Sequence, residues 1–108
     1  MIKLQDIIQG DSKQILLEFT TNYTTPINLT DAIVTFTLRD LKDNIILQKI
    51  VTEHIDAVNG KTMIELTSND TNKLKENSIY NYDIEFKKGN ITKTILNDRI
   101  KVVKDVTP

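Results

Sequence analysis

The chain has 108 residues, of which 39% are hydrophobic and 27% charged, and its formal net charge is −1. This length and composition are typical of one folded domain, so we expect a single domain over residues 1–108. A nearly neutral chain lacks the basic excess that neutralises phosphates, and nucleic acid is therefore not an expected partner. The absence of cysteine excludes disulfides, thiolate zinc sites and thiol nucleophiles.

The first residues of the chain, 1–6, contain no apolar segment of the kind that a secretory signal needs. No apolar run approaches the ~20 residues that span a bilayer. We therefore expect a protein made in the cytoplasm, with no signal peptide and no membrane association.

Alternation of apolar and polar residues with a period of two dominates the sequence and indicates β-strands with one face on a core. Ile15, Leu17 and Phe19 open the series, and Tyr82 and Ile84 continue it. The predicted core residues are Ile15, Leu17, Phe19, Val34, Phe36, Leu38, Ile64, Leu66, Leu74, Tyr82, Ile84 and Val102. The predicted strands, in chain order, are residues 2–8, 15–20, 32–39, 45–52, 62–67, 80–86, 91–96 and 99–104.

Turn formers separate these strands at short spacing, among them Gly10-Asp11, Asn59-Gly60, Gly89-Asn90 and Asn97-Asp98. The segment 68–74 departs from the alternation, and its Ser, Asn and Asp residues predict a short helical turn near residues 70–74. The pattern predicts an all-β fold, an immunoglobulin-like antiparallel β-sandwich of about seven to eight strands.

A tyrosine corner is predicted around Tyr80. In Greek-key sandwiches such a tyrosine hydrogen-bonds back to the backbone across the corner between two strands. Leu74 lies six residues before Tyr80, and Asn77 stands between them where a residue tolerant of positive φ is needed. The alternative is a buried tyrosine whose hydroxyl simply reaches water.

Residues that could carry catalysis are few and scattered. His54 is the only histidine, and we interpret it as a surface-loop residue, because no ligand spacing surrounds it. Asp40 and Asp43 share one turn but lack the run of oxygen ligands of a calcium loop. No serine lies in a nucleophile elbow and no glycines form a phosphate loop. We expect no catalytic residues, no cofactor, no metal site and no enzymatic activity.

The order of several short motifs resembles a family. Gly10-Asp11-Ser12, Pro26-Ile27-Asn28-Leu29-Thr30 and Tyr80-Asn81-Tyr82-Asp83 lead into alternating strands in the same order as in that family. The chain resembles tailed-phage and prophage virion modules related to the N-terminal domain of baseplate upper proteins. Asp31, Asn77 and Asp98 stand where the family tends to have glycine. Further matching segments are residues 32–36, 59–60, 64–67, 70–71, 94–96 and 101–107, together with Leu74.

This resemblance implies a non-enzymatic structural protein of a phage particle, in the tail, baseplate or neck, with an immunoglobulin-like fold. The implied partners are other virion proteins, and the implied location is the virion. The alternative is an adhesion or carbohydrate-binding domain of a bacterial cell surface. The lack of tryptophan and of a visible signal peptide disfavours it.

Two apolar segments are predicted interfaces, for a homo-oligomer or for other subunits. The first predicted strand, residues 2–8, carries few charges and is terminal, so we expect it to move without disturbing the core. Residues 45–47 are apolar at consecutive positions, which a strand with one buried face does not need. The predicted interface residues are Ile2, Leu4, Ile8, Ile45, Ile46 and Leu47. The alternative is that Ile46 or Ile8 covers a sheet edge within the same chain.

Overall fold

The computed structural model describes residues 4–21 and 24–104, which form nine strands and one short helix. In chain order they are β1 (Ile7–Ile8), β2 (Lys13–Glu18), β3 (Thr20–Thr21), β4 (Thr25–Pro26), β5 (Ile33–Arg39), β6 (Ile45–Val51), β7 (Lys61–Leu66), α1 (Ser68–Asn72), β8 (Ser78–Lys88) and β9 (Ile91–Val103). The predicted all-β fold is confirmed. No helix within the described ranges is long and apolar enough to cross a membrane.

The strands form one five-stranded sheet and two smaller ones. The large sheet has the order β1-β9-β8-β5-β6, while β2 pairs with β7 and the short β3 pairs with β4. Every pair is antiparallel except β1 with β9, where Ile7 lies beside Val102 and Ile8 beside Val103 in parallel register. The prediction of a wholly antiparallel arrangement is therefore wrong at this one edge.

One apolar core joins the large sheet to the β2–β7 pair. Val34, Phe36 and Ile84 enter it from the large sheet, and Ile15 and Ile64 enter it from the small one. All the predicted core residues are buried except Leu17, which is half-buried. The alternation was therefore a reliable guide to the buried face of each strand.

The last predicted turn does not exist. Asn97 and Asp98 lie inside β9, opposite Asp83 and Tyr82 of β8, so residues 91–103 form one strand instead of two. A β-bulge lies nearby in β9, because the register with β8 shifts at Ile95, between the pairs Ile84–Leu96 and Glu85–Thr94. Cross-strand pairing with β8 thus overrides the turn preference of Asn-Asp.

The helix α1 connects β7 of the small sheet with β8 of the large one. It spans Ser68–Asn72, slightly before the predicted 70–74, and its N-cap is Thr67. The Thr67 side chain accepts the Asp70 N–H and the Asp70 carboxylate accepts the Thr67 N–H, which forms a capping box. These reciprocal bonds stabilise a helix that is too short to persist alone.

Candidate interaction surfaces

The first predicted interface is only partly a surface. Ile2 lies outside the described residues, and Leu4 is half-buried against the core. Ile7 is fully buried, while Ile8 keeps 41% of its side chain exposed. Of the described residues predicted here, Ile8 alone is well exposed.

Nor can β1 move without disturbing the core, which corrects the expectation drawn from its terminal position. Thr71 of α1 is fully buried, and its Oγ1 accepts the Gly10 N–H (3.0 Å) and donates to the Asp11 carbonyl (2.9 Å). The Gln9 side-chain amide donates to the Leu74 carbonyl at 2.7 Å. The segment is thus held by the helix as well as by β9.

A β-bulge explains the consecutive apolar residues of the second predicted interface. Ile45 pairs with Arg39 and Leu47 with Leu38, so Ile46 is an extra residue without a partner on β5. Leu47 is buried in the core and Ile46 packs against it, whereas Ile45 is exposed. Leu47 is therefore not an interface residue and Ile46 is mainly a packing residue; the consecutive apolar residues reflect the bulge.

The edge of the large sheet at β6 remains open. Within the described ranges β6 pairs only with β5, and Ile50 on its outer face is 63% exposed. On the opposite face of β6, Lys49 forms an ion pair with α1, and its Nζ lies 2.6 Å from a carboxylate oxygen of Asp70. Sequence reasoning named Ile45 on this strand but missed Ile50.

The Asp70 carboxylate combines this ion pair with the helix cap. Burial would raise its pKa, but hydrogen bonds from Lys49 and Thr67 and the positive charge of Lys49 outweigh burial, so the pKa is lowered. Asp70 therefore stays ionised while linking β6 to the start of α1.

The three residues of the predicted tyrosine corner lie together. The Tyr80 hydroxyl accepts the backbone N–H of Lys75 at 2.9 Å, and Leu74 is buried beside it in the core. Asn77 has φ of +59°, and its N–H donates to the Val102 carbonyl at 2.7 Å. The corner fixes the start of β8 against β9.

His54 is more than the surface-loop residue expected from sequence. Its Nε2 donates to the Ala32 carbonyl (2.8 Å), which in the neutral ring leaves Nδ1 to accept from the Thr62 hydroxyl (2.8 Å). Thr62 is buried in β7 and Ala32 is buried just before β5. The ring therefore bridges the two sheets, and sequence could not reveal this because both partners are distant along the chain.

A second open edge, absent from the sequence predictions, lies along the first half of β9. β1 covers β9 only at Val102 and Val103, so the edge from residue 91 to 97 has no strand partner in the part of the chain that the structure describes. A groove follows this edge, lined by the apolar side chains of Phe19, Ile27, Phe86, Ile91 and Ile95 and by Lys88 and Lys93. The alternation Ile91-Lys93-Ile95 was its only sequence signal.

No group of three or more potential metal-ligating side chains occurs in residues 4–21 and 24–104. No protein-family model matches the chain, and no curated protein sequence is significantly similar to it. The interpretation of function consequently depends on the geometry above and on the motif resemblance.

Proposed function

We propose that this chain is a non-enzymatic structural protein of a tailed-phage or prophage particle, acting through protein–protein contacts. The observation that carries the proposal is where the motifs of the resemblance lie in the fold. The backbones of Gly10 and Asp11 in the first motif each form a hydrogen bond with Oγ1 of Thr71, which belongs to a later motif. Motifs that are far apart in the sequence therefore contact one another in the fold. This supports the view that the chain shares the fold of the family, and that the short motifs do not match by chance.

The departures from the family pattern support the same proposal. Asp31 and Asn77 stand where the family tends to have glycine, and their φ values are +64° and +59°. Glycine, Asn and Asp are the residues that adopt this conformation most readily. Asp98 does not follow this rule, because it lies within β9.

We also propose that the two sheets form an immunoglobulin-like sandwich. The strand order supports this, because β9-β8-β5 would correspond to the three-stranded sheet of an immunoglobulin domain, with β6 added at its edge, and β2-β7 to two of the four strands of the other sheet. Phe19, just after β2, meets Phe86 of β8 edge-on with ring centroids 6.0 Å apart. In phage particles such a domain would serve as a rigid module, with its open edges and exposed apolar residues contacting neighbouring subunits.

The proposal is tested by determining whether purified phage particles contain the protein. Phage particles from an induced culture of the encoding strain are purified by density, analysed by mass spectrometry and labelled with antibody for electron microscopy. We expect the protein at a fixed copy number and the label on the tail, baseplate or neck. Its absence from particles, with recovery in the cell-surface fraction, would contradict the proposal and favour the adhesion alternative.

A further inference from the structure

The unpaired edge of β9 is long enough to accept another strand. Its backbone groups on the side away from β8 have no strand partner in the described ranges from residue 91 to 97. The edge closes at Arg99, whose N–H is accepted by Asp98 Oδ1 at 2.8 Å. These seven residues, which include the extra residue Ile95 of the β-bulge, have no strand partner on that side in the described ranges. Main-chain hydrogen bonds along such an edge are a common mode of peptide recognition.

Side chains along this edge define a pattern for the incoming strand. The register places Ile91 beside Lys88 and Lys93 beside Phe86, so both face the core side of the sheet. Ile91 is 56% exposed and Ile95 is 39% exposed, and they border the groove with Lys93 between them. A matching strand would place an apolar side chain beside each isoleucine and, between them, a polar side chain that can interact with Lys93.

The positive charge of the groove indicates which side chain the incoming strand should carry at its middle position. Lys88 and Lys93 line the groove, and none of the described residues that line it is acidic, in a chain whose net charge is −1. Lys88 Nζ donates to the Asn28 carbonyl at 3.0 Å, which fixes one positive charge at the groove. A carboxylate complements these lysines, whereas a second copy of the same groove would bring like charges together.

We propose that the β9 edge and its groove bind an extended segment of a different protein, by strand addition, with alternating apolar residues flanking a glutamate or aspartate. This deepens the proposed function, since it requires that the domain act through protein contacts. Its mechanism is backbone pairing at residues 91–97 together with burial of two apolar side chains against Phe19, Ile27 and Phe86.

The test uses the full 108-residue chain, labelled with ¹⁵N, and a capped probe peptide, Thr-Val-Thr-Glu-Thr-Val-Thr. A matched peptide carries Lys in place of Glu. We expect saturable shifts of the amide signals of residues 91–97 with the Glu peptide and weaker binding of the Lys peptide. Absence of saturable shifts there, or equal affinity for both peptides, would overturn the proposal.

Charge reversal provides the second arm. Lys93→Glu should weaken binding of the Glu peptide by about three- to tenfold, as expected when a partly exposed attraction becomes a repulsion, and should favour the Lys peptide. Lys101→Glu, an exposed residue of the same strand outside the groove, should change affinity less than twofold. Equal effects of both variants would exclude a local role of Lys93.

Two further measurements separate the alternatives. If the β9 amide signals shift with protein concentration alone, the occupant is a second copy and the proposed partner is wrong. Failure of peptide binding by a protein that is found in particles overturns only this inference. Absence from particles despite selective peptide binding overturns only the proposed phage function.

Discussion

At Gly60 the backbone leaves no room for a side chain. Its φ is +74°, and an added Cβ would lie 2.5 Å from the Phe19 carbonyl oxygen and 2.9 Å from that of Ile27. These atoms cannot withdraw easily, because the Phe19 N–H donates to the Gly60 carbonyl (2.8 Å) and the Ile27 N–H to the Phe19 carbonyl (2.9 Å). Gly60 therefore permits the close approach of three backbone segments.

Gly60→Ala should lower the free energy of unfolding by about 2–5 kcal/mol, from the left-handed φ and the backbone clash together. Gly89→Ala is the matched control, because its φ is +59° but nothing lies within 4 Å of an added Cβ. It should cost about 1–2 kcal/mol, from φ alone. Denaturant unfolding measures both, and equal losses would show that the close contact at Gly60 relaxes freely.

The hydroxyl of Tyr80 gives a second prediction at this scale. Tyr80→Phe removes the 2.9 Å bond from Lys75 N–H and should cost about 0.5–1.5 kcal/mol. Tyr82→Phe should cost less, because the Leu4 N–H lies 3.5 Å from its hydroxyl, at the limit of a hydrogen bond. Unfolding midpoints in denaturant test this; an unchanged midpoint for Tyr80→Phe would mean that water replaces the bond.

Single residues were predictable where their role is local. Asn59-Gly60 and Gly89-Asn90 are recognisable turns, and the spacing of Leu74, Asn77 and Tyr80 lies within seven residues. His54 and Thr71 were not predictable, because their partners are Ala32, Thr62, Gly10 and Asp11, which only the tertiary fold brings near.

At the scale of elements, the ion pair between β6 and α1 makes stability depend on pH. The folded-state pKa of Asp70 lies below its ordinary value of 3.8, so ionised Asp70 stabilises the fold above that pH. This contribution disappears as the pH falls through the lowered pKa. The free energy of unfolding should therefore decrease as the pH is lowered below about 5, where an ordinary Asp begins to be protonated.

Asp70→Asn should be less stable than the wild type at pH 7, with a difference that shrinks in acid. The pKa of Asp40 is also lowered, by hydrogen bonds from Asn44, but Asp40 is present in both proteins. The difference between their free energies of unfolding therefore reports on Asp70. Lys49→Met should raise the Asp70 pKa, because only the hydrogen bonds with Thr67 then offset the effect of burial. Urea unfolding from pH 2 to 7 measures this, and parallel curves for wild type and Asp70→Asn would contradict it.

Bulges account for the main errors in predicting the elements. At Ile46 and at Ile95 one extra residue shifts the alternation by one position. Consecutive apolar residues at 45–47 then look like a surface. The turn predicted at Asn97-Asp98 has a different origin, the turn preference of Asn and Asp. A pattern with period two cannot reveal an inserted residue, because the insertion depends on the partner strand.

At the scale of the whole molecule, self-association through the β6 edge stays a prediction. Ile45 and Ile50 are exposed on an edge strand that has no second partner in the described part of the chain. Pairing of two β6 edges about a two-fold axis would bury both copies of each residue. Ile50→Lys should reduce association in sedimentation velocity, whereas Lys101→Glu should not; a monomeric wild type at high concentration would contradict the prediction.

The all-β class followed from the sequence, but the partition of strands into sheets did not. Alternation identifies the buried face of each strand without saying which strands are neighbours. The parallel pairing of β1 with β9 joins residues 7–8 to residues 102–103 across almost the whole described chain. Only the completed core, with Ile7 and Val102 fully buried, selects that pairing.

This parallel pair also determines how the domain would bear a mechanical load. Because β1 and β9 run in the same direction, tension applied before Ile7 and after Val103 slides the two strands past one another. Their hydrogen bonds, including that from Gln9 N–H to the Val103 carbonyl (3.0 Å), are then loaded together and do not open one after another. Thr71, through Gly10 and Asp11, shares that load with the helix. Pulled along the chain, the domain should therefore resist as a clamp, where an antiparallel hairpin at the same place would unzip.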